Sequence, residues 1–135
     1  MEFVEQKLKV SDIRLDQENP RFPPTSNQRE AINAMLSDQG EKIVNLAIDI
    51  YQNGLNPSTR LIVFKEGENY IDGDGNRRIT ALKILETPNL AATFPNIKRK
   101  IEAILKKPGS VPMEVDCVIF NDRAAARPWI FINHG

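Results

Sequence analysis

The sequence predicts an α+β fold, a small mixed sheet flanked by helices. The apolar run Leu61-Ile62-Val63-Phe64 has the length and the β-branched and aromatic residues of a strand buried on both faces. Every second residue from Met113 to Ile119 is apolar, which is the spacing of a second core strand. The apolar residues from Ile43 to Tyr51 recur at i, i+3, i+4, i+7 and i+8, which is the pattern of an amphipathic helix.

Composition limits the class of protein. With 135 residues, 41% of them hydrophobic and 27% charged, we expect residues 1–135 to form a single globular domain. No apolar run approaches the ~20 residues that span a bilayer, and the first residues do not resemble a signal peptide. These features predict a cytoplasmic protein with no membrane partner. Because an apolar stretch runs up to Gly135, we expect the domain to be the N-terminal part of a longer chain.

Soft ligands are scarce and the charges are unevenly spread. One cysteine, Cys117, and one histidine, His134, exclude an internal disulfide and a structural zinc site. The net charge is zero, but residues 1–76 contain 8 Lys and Arg against 13 Asp and Glu, and residues 77–135 contain 10 against 5. The basic half begins at Arg77 and Arg78, which favours an anionic ligand on one side of the domain.

The N-terminal third alternates short extended segments with helix. Lys7–Val10 is predicted as a strand followed by a turn. Prolines at three of the five positions 20–24 force an extended path, so Arg21 is either a binding arginine on a stiff segment or a solvated arginine in a surface turn. Asn27 is predicted to cap a helix that ends near Gly40, and a second helix ends at Asn53-Gly54.

The remaining elements follow in order. The buried strand is predicted to turn at residues 66–69 and pair antiparallel with Tyr70-Ile71. A helix then runs to Pro88, and another, capped by Asn96, has a basic face that is either solvated or in contact with phosphates. Residues 122–135 are predicted to be helical, with Pro128 either interrupting the helix or standing in its first turn, and with Trp129 and Ile130 packed inward.

The loop at residues 72–78 carries the chemistry. Its sequence is Asp72-Gly73-Asp74-Gly75-Asn76-Arg77-Arg78. Asn76 is predicted to cap a helix beginning at Arg77, so both arginines stand at the positive end of a helix dipole, at a cost of about 0.3–1 kcal/mol each. A bound anion would compensate for this placement, because free backbone N–H groups and two guanidinium groups suit phosphate.

Three kinds of site compete for this loop. An EF-hand is excluded because its sixth position is Arg77 rather than Gly and its twelfth is Lys83 rather than Glu. A Walker phosphate loop is excluded because its glycine and lysine spacing is absent. An anion site remains, with Gly73 and Gly75 as a flexible cradle for the ligand. In that site Asp72 and Asp74 either share a Mg²⁺ ion with the phosphates or simply form a turn.

The order of motifs over residues 7–86 resembles that of the ParB/sulfiredoxin superfamily. The motifs that carry the resemblance are Asn19-Pro20-Arg21, Gly54-Leu55-Asn56-Pro57, Leu61-Ile62-Val63 and Tyr70 to Arg78. Gly75-Asn76-Arg77-Arg78 is similar to the Gly-Glu-Arg-Arg box with which ParB binds the triphosphate of CTP together with Mg²⁺, although Asn76 replaces the glutamate. The resemblance adds Arg21, Asn56 and Pro57 as nucleotide contacts.

The resemblance implies a nucleoside triphosphate-binding domain, for CTP or ATP with Mg²⁺, in a DNA-associated protein of a bacterium or phage. The binding residues it implies are Arg21, Asn56, Pro57, Gly73, Asp74, Gly75, Asn76, Arg77 and Arg78. DNA contacts are expected in other parts of the full-length protein, and a homodimer is among the assemblies that the resemblance allows. Sulfiredoxin activity is not expected, because Asn76 stands where that enzyme has its cysteine. The alternatives are a nucleotide-using enzyme (an NTP hydrolase, phosphotransferase or ParB-like nuclease) and a protein-interaction module.

Overall fold

A computed structural model describes residues 3–19 and 22–134 of the chain and contains five strands and four α-helices in that part. The strands are β1 (Phe3–Lys9), β2 (Ile13–Leu15), β3 (Leu61–Glu66), β4 (Asn69–Asp72) and β5 (Glu114–Phe120). The helices are α1 (Gln28–Asn53), α2 (Asn76–Glu86), α3 (Pro95–Leu105) and α4 (Arg123–His134). Short 3₁₀ helices occur at Val10–Asp12 and Pro88–Ala91.

The strands form one mixed sheet in the order β1-β5-β3-β4-β2. The β1/β5 and β3/β4 pairs are antiparallel, and the β5/β3 and β4/β2 pairs are parallel. Asp72, the last residue of β4, lies opposite Val63 on one side and Leu15 on the other. The α+β class and the mixed sheet are therefore as predicted, and β4 pairs with β3 in the predicted orientation.

Helices cover both faces of the sheet. The main core contains Leu61 and Val63 of β3 together with buried residues of α1, α2 and α3. Ile62 and Phe64 point to the opposite face, where they pack with Ala126 of α4. The prediction that β3 is buried on both faces is confirmed. None of the helices in the described part of the chain is long and apolar enough to cross a membrane.

Helix α1 differs from its prediction. Asn27 is the N-cap, as predicted, and its Oδ1 accepts a hydrogen bond from the Glu30 N–H at 2.8 Å. The two predicted helices, however, are continuous across a kink at Gln39, whose φ of −135° and ψ of 27° are not helical. A Cβ atom on Gly40 would lie 2.7 Å from the Ile97 Cδ1 atom, so the kinked segment packs closely against α3.

The boundaries of other elements also differ from those predicted from the sequence. Strand β2 was not predicted, because three residues are too few for a periodic pattern. Helix α3 begins at Pro95 rather than after Asn96, with the proline in the first turn, where its missing N–H is harmless. Pro128 lies inside α4. Trp129 is 39% exposed rather than packed inward, whereas Cys117 is fully buried on β5 as predicted.

Candidate anion site at the start of α2

The loop from β4 to α2 is organised by Asp72. This side chain is fully buried at the end of β4. Its Oδ1 atom accepts hydrogen bonds from the backbone N–H of Gly75 at 2.8 Å and of Asp74 at 3.2 Å. Asp72 therefore satisfies two donors immediately before the helix, the role that a capping side chain performs.

Asp74 ties the same loop to β3. Its Oδ1 atom accepts a hydrogen bond from the Ile62 N–H at 2.9 Å, and the Gly73 N–H donates to the Ile62 carbonyl at 2.8 Å. The loop is thus held against the sheet from two neighbouring positions. These two hydrogen bonds fix the position of the start of α2 relative to β3.

Gly73 and Gly75 pack closely against neighbouring side chains. Neither has a positive φ; in the described residues only Gly54 and Gly67 do. A Cβ atom on Gly73 would lie 2.5 Å from Ile130 Cδ1, and one on Gly75 would collide with Leu61. At both positions the end of a neighbouring side chain would have to shift to admit a Cβ atom.

The prediction that Asn76 caps α2 is wrong. Asn76 is the first residue of the helix, and Gly75 precedes it without a side-chain cap. The Asn76 side chain is buried, and its Oδ1 atom accepts a hydrogen bond from the Asp16 N–H at 3.0 Å. Because Asp72 already serves the loop donors, the amide of Asn76 is available to bind the segment that follows β2. The Asn76 side chain therefore points into the interior of the protein.

The first turn of α2 has donors without acceptors. Within residues 3–19 and 22–134, no acceptor is found for the backbone N–H groups of Asn76, Arg77 and Arg78, and the turn contains no acidic residue. Arg77 is exposed, and its Nε donates to the Gln39 Oε1 atom at 2.7 Å. Arg78 is half-buried and makes no hydrogen bond or ion pair in the same part of the chain.

The negative charge of the loop is smaller than its sequence implies. Burial, followed by the nearby charge of Asp74, raises the pKa of Asp72 to about 8, against the opposing effects of two backbone N–H groups and Arg78. The carboxyl is therefore largely uncharged at neutral pH. Its Oδ2 atom is buried and has no hydrogen-bond partner.

An ion pair that the sequence did not predict lies behind the loop. Arg123, at the start of α4, makes a bidentate contact with Asp16, with Nη1–Oδ2 and Nη2–Oδ1 distances of 2.9 and 3.0 Å. The same guanidinium lies 4.6 Å from the centre of the Phe64 ring. Asp16 also donates its N–H to Asn76, so it connects α4 with the first residue of α2. No local pattern relates residues so distant in the sequence.

The remaining predicted contacts are not brought to the loop by any described interaction. Asn56 and Pro57 are exposed after α1, and the Asn56 Oδ1 atom accepts hydrogen bonds from the Ser58 N–H at 2.9 Å and hydroxyl at 2.7 Å. These bonds give Asn56 a local turn-forming role. Arg21 lies outside the described residues.

The two loop carboxylates fit a protein-held Mg²⁺ ion unequally. Asp72 is a poor ligand because its carboxyl is inaccessible and its pKa is raised, whereas Asp74 is half-buried. Across the described residues, no group of three or more His, Cys, Asp or Glu side chains is placed to hold a metal ion.

Comparison of the chain with protein-family models and with curated proteins found no match.

Proposed function

We propose that this chain is a cytoplasmic nucleoside triphosphate-binding domain of a DNA-associated, ParB-like protein, with the phosphates at the start of α2. The observation that carries the proposal is the first turn of α2. It combines three backbone donors that have no acceptor in the described residues with two arginines and no acid. Phosphate oxygens match this set of donors in charge and geometry.

The electrostatics favour a bound anion over an empty site. Two cations at the positive end of a helix are unfavourable by about 0.3–1 kcal/mol each, and a phosphate reverses this repulsion into attraction. Asp72 opposes the anion little because its carboxyl is largely neutral at pH 7. Arg78, half-buried and with no ion pair in the described part of the chain, is the better-placed guanidinium for a direct contact.

The nucleotide and its remaining protein contacts are proposed from the resemblance in motif order to the ParB/sulfiredoxin superfamily. CTP or ATP is the proposed nucleotide, and Arg21, Asn56 and Pro57 complete the set of contacts. A Mg²⁺ ion would be held mainly by the phosphates, with Asp74 favoured over Asp72 as any protein ligand. DNA would be bound through other parts of the full-length protein, and homodimerisation belongs to the same proposal.

Calorimetric titration tests this function. CTP, ATP, inorganic triphosphate and inorganic phosphate, each with Mg²⁺, are titrated into the 135-residue chain and into Arg77→Ala, Arg78→Ala and the double variant. We expect a nucleotide to bind more tightly than inorganic phosphate. Each alanine variant should weaken binding at least about tenfold, because each removes a charge-assisted contact worth roughly 1.5–3 kcal/mol.

Arg99→Ala is the matched control, since Arg99 is an exposed arginine near the start of α3 whose Nη1 contacts only the neighbouring Asn96 in the described structure. Its affinity should equal that of the unmodified chain. Equal affinities for all nucleotides and free phosphate, or undiminished binding by the double variant, would disprove the proposal.

A further inference from the structure

The kink in α1 places a buried amide beside the candidate anion site. Gln39 is the residue of α1 with non-helical dihedral angles. Its side chain is 7% exposed, which is low for a glutamine. A polar group is rarely buried at such a position unless its hydrogen bonds are satisfied.

Both ends of the Gln39 amide are engaged. Oε1 accepts a hydrogen bond from Arg77 Nε at 2.7 Å, and Nε2 donates to Asp38 Oδ2 at 3.2 Å. The bond from Nε2 determines which end of the amide faces Arg77. The hydrogen bond to Asp38 therefore holds the Gln39 amide with its Oε1 atom towards Arg77.

The choice of Nε as the donor has a consequence for the guanidinium. A guanidinium is planar, so a hydrogen bond at Nε restricts its orientation, and no hydrogen bond to Nη1 or Nη2 of Arg77 is found within the described residues, so both groups can bind a ligand. The acceptor is a neutral amide, so it orients Arg77 without cancelling its positive charge. A carboxylate at the same position would orient the group and neutralise it together.

We propose that Gln39 is a positioning residue that holds the Arg77 guanidinium so that its two Nη groups face a phosphate at the start of α2. This inference rests on the proposed function and adds to it a specific residue from a distant helix. Gln39 acts through Arg77 and does not touch the ligand.

The test is a double-substitution cycle read by calorimetry with CTP and with inorganic triphosphate. Gln39→Met keeps the size of the side chain and removes the acceptor. Alone it should weaken binding about two- to tenfold, the cost of ordering one free arginine side chain on binding. In the Arg77→Ala background the same substitution should change affinity less than twofold, since the group it orients is gone.

A second variant separates orientation from packing. Gln39→Glu keeps an acceptor for Arg77 Nε but adds a negative charge, so it should bind triphosphate more weakly than the unmodified chain, with the deficit shrinking at high salt. Glu41→Gln, an exposed change beside the kink, is the matched control and should not weaken binding.

The outcomes distinguish the two levels of the hypothesis. If the unmodified chain binds neither ligand, the proposed function fails and this inference fails with it. If the chain binds and Gln39→Met either has no effect or has the same effect with and without Arg77, only the positioning role is overturned. Circular dichroism of each variant establishes that the helices are intact.

Discussion

At the level of single residues, Asp72 meets two opposed demands. Its Oδ1 atom must accept two backbone hydrogen bonds to shape the loop, while complete burial disfavours the charge that would strengthen them. The structure resolves the conflict by raising the pKa to about 8, so the neutral acid carries out the structural task. The unpartnered Oδ2 atom is the remaining cost.

Asp72 should make stability depend on pH in a direction unusual for an aspartate. The folded pKa lies near 8 and the ordinary pKa of an aspartate is 3.8, so between these two pH values unfolding releases a proton. Stability from this group is fully present below pH 3.8 and is lost as pH rises through 8. Asp72→Asn removes this term, so its stability relative to the unmodified chain should improve with pH by at most ~1.4 kcal/mol per unit. Urea unfolding at several pH values measures this difference.

Asp49→Asn, at an exposed position of α1, serves as the control for changing a carboxylate to an amide. Its stability difference should stay flat over the same pH range. Parallel pH profiles for Asp72→Asn and the unmodified chain would show that Asp72 ionises normally.

Cys117 should be unreactive in the folded protein. It is fully buried, and burial together with nearby carboxylates raises the pKa of its thiol to about 12. Because the thiolate is the reactive form, a disulfide reagent at pH 8 should label the native chain only as fast as it unfolds, and label it completely in denaturant. Rapid stoichiometric labelling of native protein would contradict the described packing.

At the level of elements, the β4-to-α2 connection depends on close contact between loop backbone and sheet side chains. Gly75 has a φ of −106°, which any residue can adopt, so the constraint on this position comes from its contacts with Leu61 and the Asp72 carboxyl. The same reasoning applies to Gly73 against Ile130 of α4. The loop is therefore shaped by its neighbours on both sides of the sheet.

Gly75→Ala should destabilise the domain by about 1–3 kcal/mol through overpacking. Combining it with Leu61→Val should cost less than the sum of the two single changes, since the smaller side chain makes room for the added methyl group. Urea denaturation of the four proteins in this cycle measures the coupling. Strict additivity would mean that the loop moves away from Leu61 without resistance.

Local sequence patterns predict those elements whose structure is determined by residues within the element itself. The stripe from Ile43 to Tyr51 and the run from Leu61 to Phe64 are periodic over enough residues to identify a helix and a strand. Asn76 was misassigned because a side chain suited to a cap is equally suited to a distant backbone donor. Gly40 predicts the end of a helix, whereas the structure has a kink at Gln39 within one continuous helix.

At the level of the whole molecule, α4 is attached to the opposite face of the sheet through Arg123. The bidentate pair with Asp16 joins the end of β2 to the start of α4, and Glu18 and Glu66 lie 3.4 and 3.7 Å from the same guanidinium. The Asp16 side chain is 7% exposed, so Arg123 supplies a buried carboxylate with a charged hydrogen-bond donor. The periodicity of the sequence cannot predict this contact, because Asp16 and Arg123 are far apart in the sequence.

Arg123→Met should lower the free energy of unfolding by about 1.5–3 kcal/mol, because it leaves a buried carboxylate without its charged donor. Arg123→Lys should recover only part of this loss, since lysine cannot make the two parallel hydrogen bonds. Arg127→Met, one turn along α4 at an exposed position, should have little effect. Thermal or urea unfolding measures all three; equal stabilities for the Arg123 and Arg127 variants would refute a stabilising role for the pair.

The strand order has a consequence for how the chain acquires its structure. Phe3 of β1 pairs with Phe120 of β5, so the first strand joins the sheet only beside the last one. Closing a contact over nearly the whole chain loses much conformational entropy before it gains stability, which slows folding. During synthesis β1 cannot pair until β5 has left the ribosome, so the sheet is completed only after residues 114–120 have emerged.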